Sequence, residues 1–171
     1  MKRSVIFASL GLVSLMVYNM VAAPGHGYIS VSAAAFQPKS HTYRYDIDSI
    51  SIFNVDGNSD YYYAPLELPQ GATVTRLIFY WEDGSSADGY CSMWRSAMMG
   101  SYGLGMATAN TSGDTGVADS SEDTSIDSAT VDNSQYSYGL TVYLPDSGVE
   151  AFGVVVEYVY SVSLPLVGHN F

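Results

Sequence analysis

Two segments, Tyr136–Leu144 (YSYGLTVYL) and Phe152–Tyr160 (FGVVVEYVY), decide the fold class of this chain. In each segment an apolar or aromatic residue stands at every second position. A period of two in β-branched and aromatic residues is typical of β-strands with one buried face. Pro145–Gly148, between the two segments, predicts a turn because it supplies Gly where a positive φ is favoured. The residues that share a face are Tyr136, Tyr138, Leu140, Val142 and Leu144 in the first segment and Phe152, Val154, Val156, Tyr158 and Tyr160 in the second.

Similar segments recur in the rest of the chain and predict further strands. In one of them, His41–Val55, the residues Ile50 and Ile52 are one position out of phase with Ile47, which predicts a bulge near Asp48. The polar stretch Thr108–Asn133 is the least strand-like part. The other predicted strands are Tyr28–Phe36, Tyr61–Leu68, Ala72–Trp81 and Tyr90–Met99. Seven or eight short strands separated by turns predict an all-β fold: a two-sheet antiparallel β-sandwich of jelly-roll or immunoglobulin-like topology.

The N-terminal residues have the order of a secretory signal peptide. Lys2 and Arg3 precede the apolar run Val5–Val17, and the small residues Ala22 and Ala23 follow. The run is shorter than the ~20 residues that a membrane-spanning helix needs. We expect residues 1–25 to be a signal peptide, 26–161 the β-sandwich domain and 162–171 a C-terminal tail. Three alternatives remain open: cleavage after residue 22, cleavage after residue 25, and an uncleaved anchor. We expect the protein to be secreted or at the cell surface.

The charge balance excludes several classes of partner. The 171 residues include 6 Lys and Arg against 17 Asp and Glu, a net charge of -11. Removal of the signal peptide takes away Lys2 and Arg3 and makes the chain more acidic still. Such a polyanion is a poor ligand for nucleic acid or for an anionic membrane. The single cysteine excludes an intramolecular disulfide and a Cys-rich zinc site. We expect Cys91 to be a buried thiol, with an intermolecular disulfide as the alternative.

The sequence DGNSD at residues 56–60 is a candidate calcium loop. Asp56, Asn58 and Asp60 place oxygen atoms at alternating positions, and Glu67 stands where a twelve-residue loop has its bidentate carboxylate. Position six of such a loop is usually Gly, however, and here it is Tyr61. The alternative is an ordinary hairpin turn. Ca2+ is therefore a possible ligand of this loop, and we expect no required cofactor. The acidic residues between 114 and 132 are interpreted as a solvated loop.

Aromatic residues provide the candidate ligand-binding surface. The chain has 15 Tyr and 2 Trp, and exposed rings on β-sandwiches are suited to stacking on sugars. We select Tyr62 and Trp94 as candidate stacking residues for an extracellular glycan. The alternative is that these rings fill the core, because Tyr and Trp also favour strands.

Catalysis is poorly supported by the sequence. It contains no Gly-x-Ser-x-Gly elbow, no His-Glu-x-x-His helix and no phosphate-binding loop. The adjacent acids Glu82 and Asp83 are the best candidates for an acid and base pair, and they are equally explained as solvated loop residues. We expect a protein that is not an enzyme, and a hydrolase ranks third among the functions considered.

Weak protection of strand edges points to self-association. Lys39 is the single lysine that follows the signal peptide, and Glu157 is the only charge in Phe152–Tyr160. Edge strands normally carry charges that prevent pairing with other chains. The uncharged segment Gly25–Phe36 either adds to a neighbouring molecule or completes its own sheet. We therefore expect an exported structural or interaction protein that forms a homo-oligomer through strand edges and Tyr-rich faces, with a carbohydrate-binding module as the alternative.

Three blocks of the chain resemble a known but uncharacterised family of small secreted bacterial proteins. The blocks are Ser32–Pro38 (SAAAFQP), Leu68–Thr75 (LPQGATVT) and Thr130–Tyr138 (TVDNSQYSY). The resemblance would extend over Val31–Tyr160 and implies a β-sandwich after a signal peptide. No activity is known for that family, so the resemblance supports export and the fold and assigns no site residue.

Overall fold

The computed structural model describes residues 24–48, 50–100 and 103–161, so most of the predicted signal peptide and the tail 162–171 lie outside the described residues. In this part of the chain no helix has the length and hydropathy required to cross a membrane. One 3-10 turn, Ala33–Ala35, accompanies eleven strands. The strands are β1 (Gly25–Ser32), β2 (Gln37–Pro38), β3 (Tyr45–Ile47), β4 (Ile52–Asn54), β5 (Asp60–Leu66), β6 (Thr73–Asp83), β7 (Tyr90–Ala97), β8 (Gly103–Asn110), β9 (Ala118–Asp123), β10 (Tyr136–Leu144) and β11 (Val149–Tyr160).

The strands form two antiparallel sheets that enclose one core. The six-stranded sheet has the order β3-β4-β11-β6-β9, with β1 also paired to β11, and the five-stranded sheet has the order β2-β5-β10-β7-β8. Among the eight longest strands, successive strands cross between the sheets except at β7–β8. This gives β1-β11-β6-β9 facing β5-β10-β7-β8, which is the arrangement of a jelly roll. The predicted β-sandwich is confirmed, in the jelly-roll form.

The core follows the alternation that the sequence predicts for β10. Tyr138, Leu140, Val142 and Leu144 all point inward and are buried. In β11 the alternation is interrupted, because a register shift lies between Ala151 and Gly153. Phe152 therefore leaves the face of Val154 and Val156, and lines a groove on the outer surface of the sheet. Its predicted place on the buried face is wrong, since the sequence pattern does not reveal the bulge.

Two other predicted elements differ in the structure. His41–Val55 is not one bulged strand: β3 and β4 pair antiparallel as a hairpin, and Oδ1 of Asp48 accepts the N–H groups of Ile50 and Ser51, both at 2.7 Å, in the turn. The one-residue shift in the alternation between Ile47 and Ile50 therefore marks the turn at which the chain reverses direction. The stretch Thr108–Asn133 contains β9, which pairs with β6 at the sheet edge. The residues of β9 are polar because they face solvent, so this strand lacks the alternation of apolar and polar residues by which a strand is predicted.

The chain pairs or covers several of the edges that its sequence leaves uncharged. β11 lies between β1 and β6, so it is an internal strand that needs no protecting charges. β1 completes its own sheet. The edge strand β9 carries Asp119, Glu122 and Asp123. The edge strand β8 is partly covered by the segment that follows it. The N–H of Thr108 donates to Oδ2 of Asp123, and the N–H of Asp127 donates to the carbonyl of Met106, both at 2.8 Å.

Cys91 lies on the buried face of β7 and has no exposed surface. Burial raises the pKa of its thiol, because the thiolate would have no water around it. The predicted buried thiol is confirmed, and its burial keeps it away from the thiols of other molecules while the domain is folded.

Leu140→Ala should lower the free energy of unfolding by about 2–5 kcal/mol, since Leu140 is fully buried at the centre of β10. Ser137→Ala, at an exposed position of the same strand, is the matched control and should change stability by less than about 0.5 kcal/mol. Urea unfolding followed by tryptophan fluorescence measures both. Equal effects of the two substitutions would contradict the inward orientation of Leu140.

Candidate functional site

The outer face of the five-stranded sheet carries a groove bordered by aromatic rings. Its volume is about 430 Å³. Two cross-strand rows form its floor: Tyr63 of β5 lies opposite Thr141 of β10, and Trp94 of β7 lies opposite Gly139 in the neighbouring row. The lining residues are Tyr63, Ser92, Trp94, Ser96, Gly103, Gly105 and Thr141.

The indole of Trp94 is fixed across β10 by a glycine and a hydroxyl. A Cβ atom on Gly139 would stand 2.3 Å from Cζ2 of Trp94, so the ring occupies the space that any side chain at this position would need. Nε1 of the indole donates a hydrogen bond to Oγ1 of Thr141 at 2.9 Å. Trp94 is only partly buried. The result is an aromatic surface that is held rigidly and remains open to solvent.

The polar groups of the groove are hydroxyls. Ser92, Ser96 and Thr141 line it, and Oγ of Ser92 donates to the carbonyl of Ala107 at 3.3 Å. Of the described residues, those that line the groove are all uncharged. A hydroxyl both donates and accepts hydrogen bonds. The groove therefore combines apolar rings with neutral hydrogen-bonding groups.

A second aromatic row continues the same face. The ring centroids of Tyr61 and Tyr143 are 4.9 Å apart, and those of Tyr143 and Tyr90 are 5.2 Å apart. Lys39 places its Nζ 5.3 Å from the ring centroid of Tyr61. Burial, with the neighbouring Tyr61, raises the pKa of Tyr90. Tyr143 follows Gly139 by four residues on β10, so this row lies ~13 Å from that of Trp94.

The prediction that Tyr62 stacks on a ligand is wrong. Its ring is fully buried between the sheets and packs edge-on against Tyr45, with the ring centroids 5.6 Å apart. Tyr62 shares the inward face of β5 with Ala64 and Leu66, whereas Tyr63 points outward and is 37% exposed. Tyr62 and Trp94 thus lie on opposite faces of the sheet. The alternation of β5, in phase with Ala64 and Leu66, is the sequence signal that identifies Tyr63.

The predicted calcium residues are partly separated. Asp56 is exposed, and its Oδ1 accepts the N–H of Asn58 at 3.2 Å; hydrogen bonds from Asn58 lower the pKa of Asp56. Asp60 instead is buried at the start of β5. The prediction of a twelve-residue calcium loop is wrong, because the extended strand β5 lies between Asp60 and Glu67 and separates them by ~20 Å. In the described ranges no three His, Cys, Asp or Glu side chains are grouped so as to hold a metal.

The candidate acid and base pair is not assembled. Glu82 and Asp83 are neighbours on β6 and therefore point to opposite faces of the sheet. Asp83 is buried, with its carboxylate accepting hydrogen bonds from Oγ1 of Thr111 and from the N–H of Ser85. Asp83 therefore holds the loops that contain Thr111 and Ser85, and it cannot act on the same substrate atom as Glu82.

No protein-family model matches the chain, and a search of curated proteins gives no match. Among solved structures, the C-terminal CBM6 module of LamC, a marine laminarinase from Zobellia galactanivorans, is 14% identical with a TM-score of 0.47, over 76% of this chain and 98% of that one. The CBM22-1 and GH10 modules of endo-1,4-β-D-xylanase 10B from Clostridium thermocellum, complexed with xylohexaose, are 11% identical with a TM-score of 0.46, over 84% and 29%. TmCBM61 in complex with β-1,4-galactotriose is 13% identical with a TM-score of 0.36, over 80% and 88%. With such scores, these similarities assign neither a family nor a ligand to the chain.

Proposed function

We propose that this protein is a non-catalytic carbohydrate-binding domain that holds a glycan in the groove between Tyr63 and Trp94. The observation that carries the proposal is the indole of Trp94, fixed by Gly139 and Thr141 and open to solvent. A pyranose ring has an apolar face of C–H groups and a rim of hydroxyls. A flat aromatic surface with a few well-placed polar groups suits both, and its rigidity lowers the entropy cost of binding.

The charge distribution supports a neutral glycan. The groove is lined by uncharged residues, while the whole chain carries a net charge of -11. A polyanion repels uronic-acid and sulfated polymers at long range. Because stacking and neutral hydrogen bonds are not screened by salt, we expect affinity to change little between low and high ionic strength.

The aromatic surface is longer than one sugar ring. From Trp94 it passes Tyr63 and reaches the row of Tyr61, Tyr143 and Tyr90, over ~13 Å along β10. A surface of this length contacts several successive units, which favours an internal stretch of a polysaccharide. The signal peptide expected at residues 1–25 supports a ligand outside the cell.

A self-associating structural role is the second candidate, and one observation favours it. β1 has no Lys, Arg, Asp or Glu, and within the described residues it pairs with β11 along one edge only. An uncharged edge is a template for a second chain.

Size-exclusion chromatography with light scattering separates the two candidates. Oligomers that grow with protein concentration and dissociate in Tyr28→Lys, a charge placed at an exposed position of β1, would support self-association. The mass of a single chain at every concentration would contradict it and leave the glycan proposal intact.

Trp94→Ala should weaken binding to a neutral polysaccharide at least tenfold, because the substitution removes the stacking surface. Affinity electrophoresis with soluble β-glucan, xylan, mannan and galactan identifies a ligand, and titration calorimetry with its oligosaccharides gives Kd. Tyr80→Ala is the control, since Tyr80 is an exposed ring of the other sheet. Retention of the wild type on none of the polymers, or equal binding by Trp94→Ala, would refute the proposal.

Gly139→Ala tests the positioning of the ring with Trp94 still present. The new methyl group would stand 2.3 Å from Cζ2 of Trp94, so the indole must leave its hydrogen bond to Thr141. We expect several-fold weaker glycan binding and greater quenching of tryptophan fluorescence by acrylamide. Ser137→Ala on the same strand should change neither quantity. Wild-type affinity in Gly139→Ala would show that the fixed position of the ring is not required.

A further inference from the structure

A chain of polar side chains joins the two sheets at one end of the sandwich. Asn54 lies on β4 of the six-stranded sheet, and its Nδ2 donates to the carbonyls of Asn58 and Leu144 at 2.7 and 3.1 Å. These two bonds fix the orientation of the amide, so its Oδ1 is the atom that faces the hydroxyl of Tyr62 on β5. Because an amide oxygen can only accept, the hydroxyl of Tyr62 donates its single proton to Asn54.

The buried carboxyl group of Asp60 stands beside this chain. Asp60 is 1% exposed and pairs with Leu144 at the start of β5. Its Oδ2 lies 3.5 Å from the hydroxyl oxygen of Tyr62, and its Oδ1 has no hydrogen-bond partner among the described residues. Since the proton of Tyr62 is directed to Asn54, an ionised Asp60 receives no proton from that hydroxyl. A neutral Asp60 can instead turn its own proton toward the hydroxyl oxygen.

The charges around Asp60 favour its neutral form. Burial raises the pKa of Asp60, and the negative charge of Asp56, in the loop 55–59, raises it further. Both ion pairs in the described part of the chain are made by Arg76, far from this cluster in the sequence. A buried carboxylate with neither a donor nor a cation is strongly destabilising. The other titratable groups that face the cluster are Tyr45 of β3, Tyr62 of β5, Asp146 of the turn after β10, and Arg44, which acts on Asp56.

We propose that Asp60 is a neutral carboxylic acid in the folded protein and acts as a proton-dependent latch between the two sheets. In this state the proton of Asp60 is directed to Tyr62, the proton of Tyr62 to Asn54, and the amide group of Asn54 to the carbonyls of Leu144 and Asn58. Every donor in the chain then has an acceptor. Loss of the proton leaves a buried and unpaired charge where β4, β5 and β10 meet. This proposal does not depend on glycan binding.

The raised pKa determines the direction of the pH dependence. The unfolded chain exposes Asp60 to water and loses the proton near the ordinary Asp pKa of about 3.9, whereas the folded protein keeps it to higher pH. Between these two pKa values the folded state binds more protons, so its stability falls as the pH rises. Exposed acids such as Asp56, whose pKa is lowered by hydrogen bonds from Asn58, have the opposite effect. The latch is therefore measured against a variant and not from the wild type alone.

Asp60→Asn tests the latch, because an amide keeps the shape of the neutral acid and can donate to Tyr62 at every pH. Calorimetry gives the Tm of the wild type and of Asp60→Asn from about pH 4 to about pH 8, on either side of neutral and above the ordinary Asp pKa. As the pH rises over this range, the wild type should lose about 3 °C or more relative to Asp60→Asn. Asp114→Asn, an exposed acid in another loop, is the matched control, and its difference from the wild type should change little with pH.

The carboxyl carbon resonance of Asp60, assigned through the backbone and followed by NMR in the wild type, reports the proton directly. At a pH where Asp114 is already ionised, the resonance of Asp60 should still be that of a neutral acid. Two outcomes would overturn the proposal: a Tm difference between the wild type and Asp60→Asn that is constant with pH, or an Asp60 resonance that titrates at or below the pH of Asp114. Because the NMR titration uses the wild type, it decides the question if Asp60→Asn does not fold.

Discussion

The register of β10 between β5 and β7 is the constraint on which both the core and the groove depend. Inward residues of β10, such as Leu140, fill the space between the sheets, while Gly139 and Thr141, one position to either side, hold the indole of Trp94. A shift by one residue would exchange the two faces of a strand. Since the core fixes this register, the energy of apolar burial also determines where the ring of Trp94 lies.

Most of the sandwich could be predicted from the sequence, because its central strands have one buried and one exposed face. β10 shows a clear period of two for this reason. β9 shows no such period, since it is a polar edge strand. The hairpin of β3 and β4 was missed because its turn shifts the alternation by one residue, as a bulge in a single strand would. The displacement of Phe152 in β11 depends on a bulge, which pairing between strands creates and local composition does not reveal.

The candidate site was predictable only in part. Trp94 could be selected as a partly exposed ring on a strand, whereas choosing between Tyr62 and Tyr63 required knowledge of which face of β5 is buried. Gly139 had no signal as a functional residue, because its importance comes from a ring that is 45 positions earlier in the chain. Asp60 was selected from the sequence as a ligand in an exposed loop, and the structure turns its carboxylate inward beside Tyr62.

The pairing of β1 with β11 joins the first and the last of the described strands over eight residue pairs, from Gly25–Tyr160 to Ser32–Gly153. Contacts between residues so distant in sequence require a large loop to close before they contribute, which slows folding. During synthesis, β1 has no partner until β11 has emerged from the ribosome. The six-stranded sheet is therefore completed only after translation of the domain.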